Sequence, residues 1–276
     1  MTTTWFITGT SSGIGRELAE QLLARGDRVA ATLRKPATLE DLKARYGDQL
    51  WVAALDVTDD AAIRQVVDRA FAELGHIDVV VSNAGYALFG AAEEVDDAQI
   101  RKQIDTNLIG SIQLIRAVLP HLRKQGGGRI LQVSSEGGQI AYPNFSLYHT
   151  TKWAIEGFVE SVAQEVAPFG ISITLVEPGP ARTGFADGLV SPPPMPEYEH
   201  TPAADVRRAV RSGAFAIVGD PVKMVQAMID SAAVSPAPKR LLLGREAHGR
   251  VRAALLERLA ALDAQQDIAY STEISD

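Results

Sequence analysis

The chain has 276 residues, 46% of them hydrophobic, and a formal charge of −7. That length and apolar fraction can supply a large core, while the acidic balance and the lack of a basic tract argue against a nucleic-acid partner. There is no cysteine, which excludes disulfides, thiolate nucleophiles and thiolate metal sites.

The opening "MTTT" runs straight into the apolar "WFI" with no signal-like core. No uninterrupted apolar run approaches the ~18 residues of a membrane span, so a cytoplasmic protein without a membrane partner is expected. The first predicted strand is Thr4 to Thr8, and "TGTSSGIG", Thr8 to Gly15, joins it to the amphipathic "RELAEQLLARG". Gly9, Gly13 and Gly15 permit a tight turn, a close approach of backbone to a pyrophosphate and close packing of helix on sheet, with Ser11, Ser12 and Ile14 completing the loop. The spacing is G-x-x-x-G-x-G, not the G-x-G-x-x-G of the common dinucleotide fingerprint; its strand, loop and helix context separates it from a turn that is merely glycine-rich.

The second predicted strand, Arg28 to Leu33, has Leu33 where an NAD-type site would offer an acid to the ribose, and Arg34 and Lys35 follow immediately. A guanidinium binds phosphate bidentately, so Arg34 suits the 2′-phosphate of NADP(H), with Lys35 or Arg16 adding charge. After the third, Leu50 to Leu55, Asp56 and Val57 are candidates to meet the adenine, and Asp59 suits a helix N-cap. After the fourth, Ile77 to Ser82, the small Asn83, Ala84 and Gly85 let backbone lie against a cofactor. Helical period follows in Leu108, Ile109, Ile112, Ile115 and Leu119. The fifth strand, Arg129 to Ser134, leads to Ser135, and Tyr148 and Lys152 come next at i and i+4 of a helix. The sixth, Ile171 to Val176, runs into "EPGPART", and the seventh is Arg240 to Gly244.

This alternation predicts an α/β fold: a single Rossmann-type doubly wound parallel sheet of about seven strands, helices on both faces, in one domain over 1–276. Such sheets bind ligands outside the carboxyl ends of their strands. Between Pro180 and Phe215 the chain reads as irregular, since "SPPPMP" cannot continue a helix or an inner strand; 184–215 is taken as an insertion covering the substrate. The tail, 264–276, is expected either to be mobile or to pack on a partner. The five histidines are scattered without ligand spacing, so no metal site is expected.

Sharing a helix face, the Lys152 ammonium would stabilise the Tyr148 phenolate. Lowering a phenol from about 10 to about 7 takes roughly 4 kcal/mol, more than one exposed ion pair supplies, so burial and a positively charged nicotinamide would have to help. The five His include His149, for which a helix-surface role is expected.

TGxxxGxG, NAG, an Asn in the helix after the fourth strand, Ser, YxxxK and PG occur here in one order, and the chain from about Thr4 to Thr183, more loosely to Gly244, resembles the short-chain dehydrogenase/reductase family. "ATLR" and "KWAIEGFVESVAQEVAPFG" look most like its branch of 17β-hydroxysteroid and retinol dehydrogenases. The resemblance implies that Asn107 holds a water in a proton relay, that Ser135 polarises a carbonyl, and that Tyr148 is the acid/base. It further implies that Lys152 binds the nicotinamide ribose, that Pro178 and Gly179 flank the nicotinamide, and that Thr183 lies near its carboxamide. Ser134 competes with Ser135, and spacing to Tyr148 favours Ser135. The expected activity is NADP(H)-dependent hydride transfer to or from a small-molecule carbonyl or alcohol, by a homo-oligomer, dimer or tetramer. A non-catalytic dinucleotide sensor on the same fold is the alternative. Tyr86, Leu88, Phe89, Ile140, Tyr142, Phe145, Phe185, Leu189, Val190 and Met195 suggest an apolar pocket under a movable cover.

Overall fold

The computed structural model describes residues 2–186, 188–214 and 217–274. Seven parallel strands form one sheet: β1 (Thr4–Thr8), β2 (Arg28–Leu33), β3 (Leu50–Ala54), β4 (Val79–Ser82), β5 (Gly128–Val133), β6 (Ile171–Pro178) and β7 (Arg240–Leu243). Their order is β3-β2-β1-β4-β5-β6-β7. Between them run α1 (Gly13–Ala24), α2 (Glu40–Tyr46), α3 (Asp60–Leu74), α4 (Asp97–Ile104), α5 (Gly110–Gln125) and α6 (Ser146–Val166). The C-terminal part adds α7 (Pro202–Arg211), α8 (Pro221–Ala232), α9 (Arg245–Asp263) and α10 (Gln266–Tyr270).

Both sheet faces are buried because side chains alternate along each strand. In β1, Phe6 points to one layer, where residues of α3, α5 and α6 pack, while Trp5 and Ile7 point to the other, built from α1, α2 and α8. The strand order reverses between β1 and β4, and that switch point opens a crevice above the carboxyl ends of the two strands.

Strand ends differ from expectation by a residue or two. β4 begins at Val79, since the Ile77 amide is taken by the Gln125 side chain. β6 runs on through Glu177 and Pro178, which pair with Leu242 and Leu243 of β7. The stretch expected to be irregular contains α7, a correction: Thr201 caps it, accepting from the Ala203 amide, and Pro202 starts it. Phe215, the last residue of the expected insertion, lies outside the described residues. Beyond Leu262 the chain continues α9 and adds α10, both exposed there. Among the described residues no helix is long and apolar enough to cross a membrane.

Candidate active site

The glycine loop and the turn after β4 are built against each other. Gly9 has φ +73°, and a Cβ there would stand 2.8 Å from the Ala84 Cα. A Cβ on Gly15 would lie 2.3 Å from the Gly9 carbonyl oxygen, so both positions need glycine. Asn83 donates its side-chain amide to the Thr8 and Gly9 carbonyls at 2.9 and 3.1 Å, and the Asn83 and Ala84 amides donate to the Thr8 hydroxyl. Asn83 therefore holds the loop shape with its side chain.

Ser12 occupies the N-cap of α1 without a side-chain cap bond, and the first turn holds no acid. The amides of Gly13, Ile14 and Gly15 face the end of the helix where an anion is favoured, and Ser11 and Ser12 are exposed beside them. Thr183 crosses close by: a Cβ on Gly13 would stand 3.7 Å from its Cβ. Gly179 packs so tightly on α9 that a Cβ would come within 2.7 Å of Ala247, which fixes Pro178 and the turn behind Thr183.

Arg34 and Lys35 are exposed after β2. Arg16 is instead engaged by Glu20, Asp41 and the Thr38 carbonyl, so the charge expected from it is neutralised within the protein. Asp56 accepts from the Thr58 amide at 3.0 Å and the Thr58 hydroxyl at 2.8 Å, which with the nearby Arg34 and Lys102 holds its carboxyl below the usual range. Val57 packs on Gly110, and Asp59 caps α3 as expected.

Asn107 is buried in a π-helical turn, Asp105–Ile109, that joins α4 to α5. Its side chain accepts from the Tyr86 amide at 3.0 Å and donates to the Tyr86 carbonyl at 2.8 Å, binding the segment after Gly85 to the helix. An extra residue in one helical turn is a common local device at functional sites.

Ser134 and Ser135 diverge completely. Ser134 is buried and donates to Glu156 at 2.6 Å, whereas Ser135 is half-buried and accepts from the Gly137 amide at 3.1 Å. The Tyr148 hydroxyl lies beside Ser135. Burial pushes the phenol up to about 12; the hydroxyl of Ser135 opposes that rise and Glu136 adds to it. Burial thus works against the phenolate, contrary to the expected help. Lys152 is buried one turn on, 5.5 Å from the centre of the Tyr148 ring, and donates to the Val133 carbonyl at 3.0 Å. Burial lowers its ammonium to about 8, with Glu156 pulling the other way.

Beneath these residues, the buried Glu156 of α6 and Glu177 of β6 share the guanidinium of Arg240 from β7, which also reaches Glu160. Gln139 donates to Glu177. Glu136, next to Ser135, is paired with Arg250 of α9 at 3.0 and 3.1 Å.

The apolar residues divide. Leu88, Phe89 and Ile140 are core residues, while Phe145 and Phe185 stand 6.2 and 5.9 Å from the Tyr148 ring, centre to centre. The chain after β6 is pinned rather than loose from Val190 onward. Val190 bridges Leu88, the Met195 amide donates to Glu94, and buried Glu94 pairs with Arg207 of α7 at 2.6 Å. His149 is buried, not on the helix surface, because both ring nitrogens are bonded to backbone.

Residues 3–192 match the model of a family described as short chain dehydrogenase. The chain is 41% identical over 248 residues to oxidoreductase BOA17 of Botryotinia fuckeliana (strain B05.10), covering 90% of each. It is 35% identical to retinol dehydrogenase 8 of Homo sapiens, over 86% of this chain and 80% of that one. A crystal structure of a short-chain dehydrogenase from Streptomyces avermitilis superposes with TM-score 0.92 and 36% identity over 99% of this chain and 100% of that one. ElxO with NADP bound superposes at 0.73 with 25% identity, over 88% and 97%.

Proposed function

The chain belongs to the short chain dehydrogenase family, and from that premise we propose that it is an NADP(H)-dependent oxidoreductase acting on an apolar ketone, aldehyde or secondary alcohol. The observation that carries this reading is the Tyr148 hydroxyl beside Ser135, with the Lys152 ammonium one turn away, at the carboxyl edge of the sheet. NADP(H), when bound, supplies or accepts the hydride.

The α1 N-terminus, from Ser11 and Ser12 to Gly15, would hold the pyrophosphate. Arg34 and Lys35 would take the 2′-phosphate, and Asp56 and Val57 would border the adenine. Ala84 and Gly85, with Pro178, Gly179 and Thr183, would line the nicotinamide end. A structural relative with NADP bound supports that cofactor. In the reducing direction Tyr148 gives its proton to the carbonyl oxygen, and the Ser135 hydroxyl bonds the same oxygen as charge develops on it. The Lys152 ammonium, buried one turn on and near the Tyr148 ring, would stabilise the phenolate that this step leaves. Asn107 holds the Tyr86 segment that borders the site.

The aromatic surroundings of Tyr148 and the similarity to a retinol dehydrogenase support an apolar substrate. Residues 184–186, 188 and 189 would form the movable part of the cover, and residues 190–214 its fixed frame. Association into a homo-oligomer through α5 and α6 belongs to the same reading.

Oxidation of NADPH by a panel of ketones and aldehydes tests it. Turnover should favour NADPH over NADH and apolar over charged carbonyl compounds, and Tyr148→Phe should bind NADPH normally yet turn over at least ~10²-fold more slowly. NADPH binding without turnover of any carbonyl or alcohol would favour a sensor instead.

A further inference from the structure

His149 follows Tyr148 directly, and its partners dictate its chemical state. Nδ1 lies 2.9 Å from the Gly137 carbonyl oxygen and Nε2 lies 3.0 Å from the Tyr142 amide nitrogen. A carbonyl only accepts and an amide only donates, so the single ring proton sits on Nδ1 and Nε2 is bare. Gly137 connects this ring to the site. Its amide donates to Ser135 Oγ at 3.1 Å, and a Cβ on Gly137 would stand 2.5 Å from Nδ1, so imidazole and glycine backbone are in direct contact. On the other side, the ring packs against Tyr142, Phe145 and Tyr148 at centre-to-centre distances of 5.6, 5.9 and 5.9 Å.

We propose that His149 is a positioning residue: its Nδ1–H fixes Gly137, and through Gly137 the Ser135 hydroxyl, while its Nε2 pins Tyr142 and with it the pocket wall that runs to Phe145. The proposal rests on the assignment of Ser135 and Tyr148 above. With the Gly137 amide on one lone pair of Ser135 Oγ, the hydroxyl proton is left to point at a substrate oxygen. One rigid ring supplies a donor at its δ position and an acceptor at its ε position. Asparagine can offer only the first and glutamine only the second.

The clamp also has a pH limit. An imidazolium would set a second N–H against the Tyr142 N–H. Burial already disfavours that charge, although the Gly137 carbonyl favours it. The titratable groups around the ring are the hydroxyls of Tyr142 and Tyr148, Lys152 one turn on, and Glu136, whose carboxylate is paired with Arg250. The clamp therefore opens only below the ordinary histidine range of about 6.5.

Two measurements test this. In the wild-type protein labelled with ¹⁵N-histidine, NMR at pH 7 should find His149 as the Nδ1–H tautomer; an Nε2–H tautomer or an imidazolium overturns the clamp. In kinetics, His149→Asn should keep kcat within about threefold and raise KM about tenfold, and His149→Gln should do the reverse, from misplacement of the groups each leaves unheld. The rise of KM expected in the wild type below about pH 6.5, where an imidazolium loses its Nε2 acceptor, should vanish in His149→Asn. Equal losses in both constants for both variants, or no loss in either, overturn the positioning role. An Nδ1–H tautomer in a wild type that turns over no carbonyl compound would sink the reductase reading and leave the clamp; the opposite pair of results would sink the clamp alone.

Discussion

The Lys152 ammonium is held in the protein against its own hydration. Its acidity, moved from 10.5 to about 8 by burial, corresponds to about 3 kcal/mol of stability lost at neutral pH. The sign follows from proton counting. Between about pH 8 and 10.5 the unfolded chain keeps this proton and the folded one has lost it, so stability rises with pH across that window. Lys152→Met should therefore abolish turnover yet raise stability by up to about 3 kcal/mol at pH 7, with the gain fading above pH 8. Denaturant melts at pH 7 and 9.5 check this, and a destabilised variant at pH 7 would contradict it. Tyr148, Lys152 and Ser135 were legible in the sequence because a helix brings i and i+4 together and Ser134 and Ser135 were the only two choices at the strand end. His149 was not legible as a clamp, because its partners are backbone atoms of Gly137 and Tyr142, which no residue type announces.

Among the elements, α7 is held by one ion pair more than by apolar packing. Its buried residues are Ala203, Ala204 and Arg207, and Glu94 also accepts the Ala91 and Met195 amides. Removing the guanidinium leaves a carboxylate buried without a counter-charge, which costs about 3–5 kcal/mol in such settings. Arg207→Met should thus free the frame of the cover: hydrogen exchange over 190–211 should speed up while β1, β4 and β5 stay protected. Unchanged exchange there would show that the pair does not hold the frame. The same composition explains why α7 escaped the sequence reading. Its buried face, two alanines and an arginine, carries no large apolar residue to mark it as an inner face, and "SPPPMP" just before it reads as loop. The strands were legible for the opposite reason, since parallel strands buried on both faces appear as short β-branched runs. Only their ends moved, where pairing partners rather than residue type decide.

Across the whole molecule, Arg240 joins the last strand to carboxylates from α6 and β6. Burial, with Glu156 close by, raises the Glu177 carboxyl above its usual range. A raised acid makes the folded chain the better proton binder, so stability falls as pH rises through that range. Arg240→Met should therefore lose about 3–5 kcal/mol near neutrality and recover part of it on acidification, read by denaturant melts at pH 5.5 and 8. An equal loss at both would remove Glu177 as the cause. The order of synthesis gives this link a further meaning. Glu177 leaves the ribosome 63 residues ahead of Arg240, an interval of about 3–13 s at 5–20 residues per second. Until then the nascent sheet has two acidic side chains to bury and no cation with which to bury them, so its far edge stays open and hydrated. Residues 3–192, the part that the family has in common, include both glutamates and lack the arginine. Made alone, that stretch should remain partly unfolded and bind a chaperone or aggregate, whereas the chain carried through α9, which also brings Arg250 to Glu136, should fold.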